Sequence, residues 1–574
     1  MRNRLLVLAL VSILVGSSLW GSPGLGRVFA ASPEAGFQTI EPITLYFHYG
    51  SVPNRLQLTS SEARIWYSFR PADVDPGHKP LFVFYNGGPG SATSSGLMSM
   101  NTGPYTLDNT IETGGGDAFR PNAHSWTRLG NLLYIDARQA GFSYNLMDAA
   151  NDELQRYQEF NAQNFNPFFD AADFIRVLLR FLARHDELRR NPVIVVGESY
   201  GGTRTTALLH MLLNYSDYGN GREMYQDPAL RDEIQEHYDA VFPELAGTVV
   251  PPATIARQFR GQVLIQPTVS FGYQAQIARS LLRQPGSVIY KVGEEVGIPY
   301  DPAVYRDPLE FIDSVGRDYY IYTKPRGWTD GFFLNAARLL RVVDQLDRIT
   351  GTNALDIDEL YASARARAYR VIQSTYPQNM LAGWPAPSPD VQRLFIGPAL
   401  EEYRDARAEE PGDMASYFGT LQPWDRYFLS SNGNANSAFH IYNVAQVRGY
   451  EVDYDVPRFG RMFLQNVASL PTFITNAALD LVVYTEALAP ALARHDDILE
   501  SVTRVKEALP GEARPGSIIL TYRPDVFPGM EASRTRSIRF PLYASSCHAV
   551  SLTQPEELLA DVTDWLKKNG IIPD

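Results

Sequence analysis

Cysteine is almost absent from this chain. Among 574 residues there is one, Cys547, so no disulfide can form within the chain. Stability must come from core burial, which this length allows. Long runs of lysine and arginine are missing as well. The net charge of −13 would repel phosphates, and nothing points to nucleic acid as a partner. There is no G-x-x-x-x-G-K-[ST] and no helix-opening G-x-G-x-x-G, so no phosphate cradle is encoded. H-E-x-x-H and paired-cysteine spacings are lacking, and no metal or organic cofactor is implied. Internal repeats and low-complexity tracts are also missing.

What remains is ordinary globular material. The chain is 45% hydrophobic and 20% charged, with 32 Tyr and 29 Phe able to line large apolar pockets. Residues 1–30 read as an export signal: Arg2 and Arg4 form a positive head, Leu5 to Trp20 is mostly apolar, and Val28-Phe29-Ala30 offers a small-residue cleavage site. The apolar run is short for a membrane span, so membrane contact is expected only through this signal. The expected destination is the periplasm or the medium. Losing Arg2, Arg4 and Arg27 with the signal takes the net charge to −16.

The chain is organised around Gly197-Glu198-Ser199-Tyr200-Gly201, which fits G-x-S-x-G, the nucleophile elbow of α/β-hydrolases. Val193 to Val196 reads as a buried strand before it, and Thr203 to Leu213 as a helix after it. Glycines at 197 and 201 are expected because side chains there would strike the crowded turn. Upstream, Leu81 to Tyr85 reads as a strand ending in Asn86-Gly87-Gly88-Pro89-Gly90, where backbone N–H groups could approach a ligand. Residues 58–69 read as a strand pair and 131–136 as a strand. A helix is expected from Phe165 to Arg190, with Phe168, Ala172, Ile175, Leu179 and Leu182 on one face. This alternation predicts an α/β fold with a mostly parallel central sheet flanked by helices. Residues 31–57 look like a loose lead-in.

The strand–helix rhythm continues through a strand at 261–269 and is lost between 270 and 465, where helical patterns at 330–349 and 357–371 suggest a large helical cap insertion. It returns with strands at 471–475, 518–522 and 538–543 and a last helix, Glu556 to Lys568. The expected division is therefore 1–30 signal, 31–269 first part of the core, 270–465 cap, and 466–574 second part of the core.

Five separated stretches resemble the serine carboxypeptidase family of the α/β-hydrolase fold, as a bacterial-type member without disulfides. They are Asn86-Gly87-Gly88-Pro89-Gly90-Ser91, Gly141-Phe142-Ser143-Tyr144, Gly197 to Gly202, residues 476–484, and Cys547-His548-Ala549-Val550 with Gln554-Pro555. The resemblance implies Ser199 as nucleophile, His548 as its base and Asp480 as the acid that orients the imidazole, in the chain order of the hydrolases. The other eight histidines lack comparable context. It further implies an oxyanion hole from the backbone N–H groups of Gly88 and Tyr200. Asn86 and Glu198 would grip the substrate's C-terminal carboxylate. A glutamate facing a carboxylate must carry a proton, so an acidic optimum follows.

Three departures stand out. Asn101 replaces a glutamate usual before Gly-Pro, which should raise the Glu198 pKa less. Ser91 stands where many relatives have cysteine. Ala477-Ala478-Leu479-Asp480 keeps only the second acid of Gly-Asp-x-Asp. Cys547 also sits beside His548 where glycine is usual. The expected activity is an exported serine carboxypeptidase acting on peptides with a free C-terminus through an acyl-enzyme. The same triad could serve an acyltransferase or esterase, and the scaffold alone could serve a non-catalytic binding protein.

Overall fold

Runs of β-branched and aromatic residues, apolar on both sides, make strands that must be covered on both faces. A computed structural model of the chain describes residues 32–49, 52–60, 62–87, 93, 96–108, 118–138, 143–145, 167–219, 227–269, 271–282, 284, 286–295, 299–305, 456–480, 483–508, 512, 514–527, 530, 534–546 and 548–573. Eleven of its strands form one sheet: β1 (Glu34–Ile40), β2 (Ala63–Arg70), β3 (Leu81–Tyr85), β4 (Asn131–Ile135), β5 (Tyr144–Asn145), β6 (Val193–Glu198), β7 (Phe259–Ile265), β8 (Thr472–Ile474), β9 (Leu499–Val505), β10 (Ser517–Tyr522) and β11 (Thr535–Arg539). The order across the sheet is β1-β2-β4-β3-β6-β7-β8-β11-β10-β9, with β5 on β2. From β4 to β11 neighbouring strands run parallel, and both margins are antiparallel. This is the α/β-hydrolase arrangement expected from the sequence.

Alternation along each strand divides the core. Leu81, Val83, Tyr85, Val193 and Val195 point into one apolar cluster, shared with α1 (Pro167–Arg184) and α2 (Gly201–Leu213). Phe82, Phe84, Ile194 and Val196 point into another, closed by Leu558, Val562 and Trp565 of the last helix, Pro555–Lys568. The apolar face expected on α1 is buried at all five positions, although the helix is shorter than 165–190.

Register aligns the carboxyl ends of the central strands. Tyr85 lies beside Gly197, Glu198 beside Ile265, and Leu264 beside Ile474. Asn86, Ser199, Gln266 and Thr475 therefore leave the sheet along one edge, where open α/β sheets hold their ligands.

Two expectations need correction. The lead-in at 31–57 is not loose: it contains β1 and the hairpin strands Thr44–Tyr49 and Val52–Thr59. β1 is ordered by pairing with β2, a non-local partner that periodicity cannot reveal. The strand expected at 538–543 is two, β11 and Leu542–Tyr543, interrupted where Pro541 has no N–H for a ladder. β9 is an exposed, polar margin strand whose sequence carries no buried apolar run to mark it. The expected cap boundary at 465 falls inside a helix, Val456–Ser469, that packs on α2. There Asn466 Nδ2 donates to the Thr206 carbonyl at 3.0 Å. The cap helices expected at 330–349 and 357–371 lie outside the described residues.

Candidate active site

The elbow is built from β6 running straight into α2. Ser199 has φ 59°, a left-handed conformation that a residue with a side chain adopts only under constraint. The constraints are visible. The Ser199 N–H donates to the Ile265 carbonyl at 2.9 Å, and its own carbonyl accepts from the N–H groups of Gly202 and Thr268, each at 2.9 Å. A Cβ at Gly197 would lie 2.5 Å from the Gly201 carbonyl oxygen, so glycine is required there. At 201 the approach is looser, 3.1 Å to the Tyr85 carbonyl oxygen. Strand, strained serine and helix thus agree with the local sequence.

The loop after β3 lies directly on this turn. A Cβ at Gly87 would meet the Tyr200 nitrogen at 2.4 Å and the Glu198 carbonyl oxygen at 2.5 Å. Its bare backbone is therefore what lets the loop approach the Tyr200 N–H. Gly88, the other expected donor, lies outside the described residues, as do Gly141, Phe142 and Cys547.

Asn86 and Glu198, the expected carboxylate-binding pair, are both buried and meet each other: Asn86 Nδ2 donates to Glu198 Oε2 at 2.6 Å. Asn86 is itself fixed, since its Oδ1 accepts from the Leu97 N–H at 2.7 Å. Burial pushes the Glu198 carboxyl up to about 7, against the pull of His548 and the Asn86 bond, with Asp480 adding to the rise.

Asp480 and His548 also come together. His548 Nδ1 lies 2.8 Å from Asp480 Oδ2, with both side chains buried. A ring N–H donated to this carboxylate leaves the lone pair of the neutral imidazole on Nε2. Burial alone would lower the His548 pKa; the charge and hydrogen bond of Asp480, with Glu198 behind them, outweigh it and hold the ring above its ordinary value. Asp480 Oδ1 accepts from the Val483 N–H at 3.1 Å.

Three residues at the site carried no signal in the motifs. Arg204, in the first turns of α2, is buried against the rings of Phe174, Tyr200 and Tyr85, at 4.4, 5.2 and 5.3 Å from their centroids. It pairs with Asp170 at 2.7 Å and donates to the Asn86 carbonyl at 2.6 Å, tying the loop after β3 to the elbow helix. Asp170 bonds the Tyr200 hydroxyl as well. Gln266, immediately after β7, donates to Asp480. Its position at a parallel strand's carboxyl end was the one usable clue. Among the described residues, no group of three or more His, Cys, Asp or Glu is arranged to hold a metal ion.

Residues 52–225 match the family model described as serine carboxypeptidase. The chain is 31% identical over 152 residues to serine carboxypeptidase-like 9 of Arabidopsis thaliana, covering 26% of this chain and 31% of that protein. It is 30% identical over 158 residues to serine carboxypeptidase-like 41 of the same plant, covering 27% and 30%. The matched stretch thus spans about a third of these relatives. Among solved structures, a prohormone-processing carboxypeptidase from Saccharomyces cerevisiae superimposes with a TM-score of 0.44 at 12% identity, over 93% of this chain and 91% of that one. The matched segment carries both the glycine-rich loop after β3 and the nucleophile elbow, and over it the chain is similar to the serine carboxypeptidase family.

Proposed function

We propose that the protein is an exported serine carboxypeptidase that releases amino acids from the C-termini of peptides. The observation that carries this reading is the pairing of Asn86 with a Glu198 that stays protonated up to about pH 7, beside the strained Ser199. A protonated carboxyl and an amide are donors, and together they suit a free C-terminal carboxylate. Neither would be needed by a hydrolase of neutral esters.

In the proposed reaction Ser199 Oγ attacks the last peptide carbonyl as His548 accepts its proton. Asp480 holds the imidazole in one tautomer and stabilises the imidazolium. The developing oxyanion receives the N–H of Tyr200 and of Gly88. His548 returns the proton to the leaving amine, one amino acid departs, and water then releases the shortened peptide from the ester. Residues 1–30 are proposed to direct export, ending in the periplasm or the medium. Residues 270–465 are proposed as the cap insertion over the sheet.

Mass spectrometry of a peptide ladder digested by the wild type and by Ser199→Ala tests the proposal. The expected result is stepwise loss of C-terminal residues from free-acid peptides, none from their C-terminal amides, and none with the variant. Equal cleavage of acids and amides would remove the carboxylate-binding role. Cleavage of small esters with both peptide forms spared would point to an esterase or acyltransferase, and no labelling by a fluorophosphonate to a non-catalytic scaffold.

A further inference from the structure

Gln266 is completely buried and has φ 46°, left-handed like Ser199. It occupies the residue after β7, level with the elbow. Its amide is used on both sides. Oε1 accepts from the Ala477 N–H at 2.9 Å and from the Thr475 hydroxyl at 3.0 Å. Nε2 donates to Asp480 Oδ2 at 2.6 Å, with a longer contact of 3.4 Å to the Thr485 hydroxyl. A backbone N–H can only donate, so the Ala477 contact fixes which end of the amide is oxygen. The NH₂ must then face the carboxylate. Asp480 Oδ2 is the same oxygen that His548 Nδ1 approaches.

We propose that Gln266 is the positioning residue that aims Asp480 at His548, holding the acid half of the triad to the strand edge that carries the nucleophile. The inference rests on the Ser199–His548–Asp480 reading. A strained backbone and a buried polar side chain would both be unfavourable without a specific gain. The gain is a charge-assisted hydrogen bond that fixes the carboxylate's rotation. The loop after β8 begins at Thr475 and Ala477 and reaches Asp480 within a few residues. One side chain therefore locks both the loop and the carboxylate it delivers.

The test uses the rate of Ser199 labelling by a fluorophosphonate, which needs no knowledge of the natural substrate. Two variants of the full chain are compared with wild type across pH. Gln266→Gly removes the amide but suits the left-handed backbone. Gln266→Glu keeps the shape, but its carboxyl can bond both Ala477 and Asp480 only while protonated. The charged or titratable groups around that carboxyl are Asp480, His548 and Glu198, with Glu486 and Arg504 beyond Asn476.

Gln266→Gly is expected to slow labelling by about tenfold to a hundredfold. For Gln266→Glu the rate relative to wild type should fall steadily as pH rises, because ionisation removes the donor and sets two carboxylates together. A ratio flat with pH, together with wild-type labelling in Gln266→Gly, would overturn the inference while leaving the proposed function intact. Absence of labelling in the wild type would overturn both. Melting curves accompany each variant; should Gln266→Glu fail to fold, the Gln266→Gly rate alone decides.

Discussion

The two halves of the proposed catalytic site are built in different ways. The nucleophile half is one unbroken segment: β6, Ser199 and α2 lie within residues 193–213. Its geometry is set by a backbone turn, tight glycines and bonds to adjacent strands. The acid–base half is assembled from Gln266, Asp480 and His548, which are 214 and 68 residues apart in successive steps. Its geometry is set by side-chain hydrogen bonds. Strain stored in a local turn resists change because the whole strand–helix junction would have to move. A side-chain network is adjustable, and each member depends on the next.

The largest effect should come from removing either half's reacting group. Ser199→Ala or His548→Ala is expected to lower turnover on the order of 10⁶-fold, read by release of C-terminal residues. Asp480→Asn should lower it on the order of 10⁴-fold, because the amide favours the wrong imidazole tautomer. If Asp480→Asn were silent, the assembled half would not be part of the machinery at all.

Gly87→Ala probes the local half without replacing a triad residue, although its new Cβ would lie 2.6 Å from the Ser199 Cβ. Its new Cβ cannot coexist with the Tyr200 nitrogen and the Glu198 carbonyl oxygen, so the loop must shift. Loss of one oxyanion donor predicts a fall in kcat on the order of 10²–10³-fold, measured with fold and melting temperature monitored.

Stability should respond on the far face of the sheet rather than at the site. Trp565 packs against Phe473 and lies over Gly261. Trp565→Ala is expected to destabilise by about 3–5 kcal/mol in denaturant titration, with kcat per folded molecule unchanged.

pH sharpens the comparison, since each half contributes a titrating group. His548 must be neutral to act as a base, so kcat should fall as pH drops through its raised pKa. Glu198 must be protonated to bind a carboxylate, so KM for free-acid peptides should climb as pH rises through about 7. Glu198→Gln keeps a donor at every pH and should flatten that rise, as KM profiles of the two proteins would reveal. The stability sign follows from the same shift. A carboxyl raised from 4.5 to about 7 favours the fold fully below 4.5, and that contribution is lost as pH rises to about 7. Glu198→Gln should therefore melt higher relative to wild type at pH 8 than at pH 4, the smallest of these effects.

The sequence by itself determined the elbow, because strand, glycines, serine and helix are local and each obeys a short-range rule. It also determined the parallel centre of the sheet, through buried runs with helical stretches between them. The pairing of β1 with β2, the break at Pro541 and the helix that crosses the expected cap boundary were decided by non-local contacts. So was the acid–base half. A glutamine after a strand and an arginine inside a helix have no signature until folding brings Asp480 and Asn86 to them. Only tertiary structure decides this, because buried polar groups must find partners wherever the chain delivers them, and sequence spacing does not say which partner arrives.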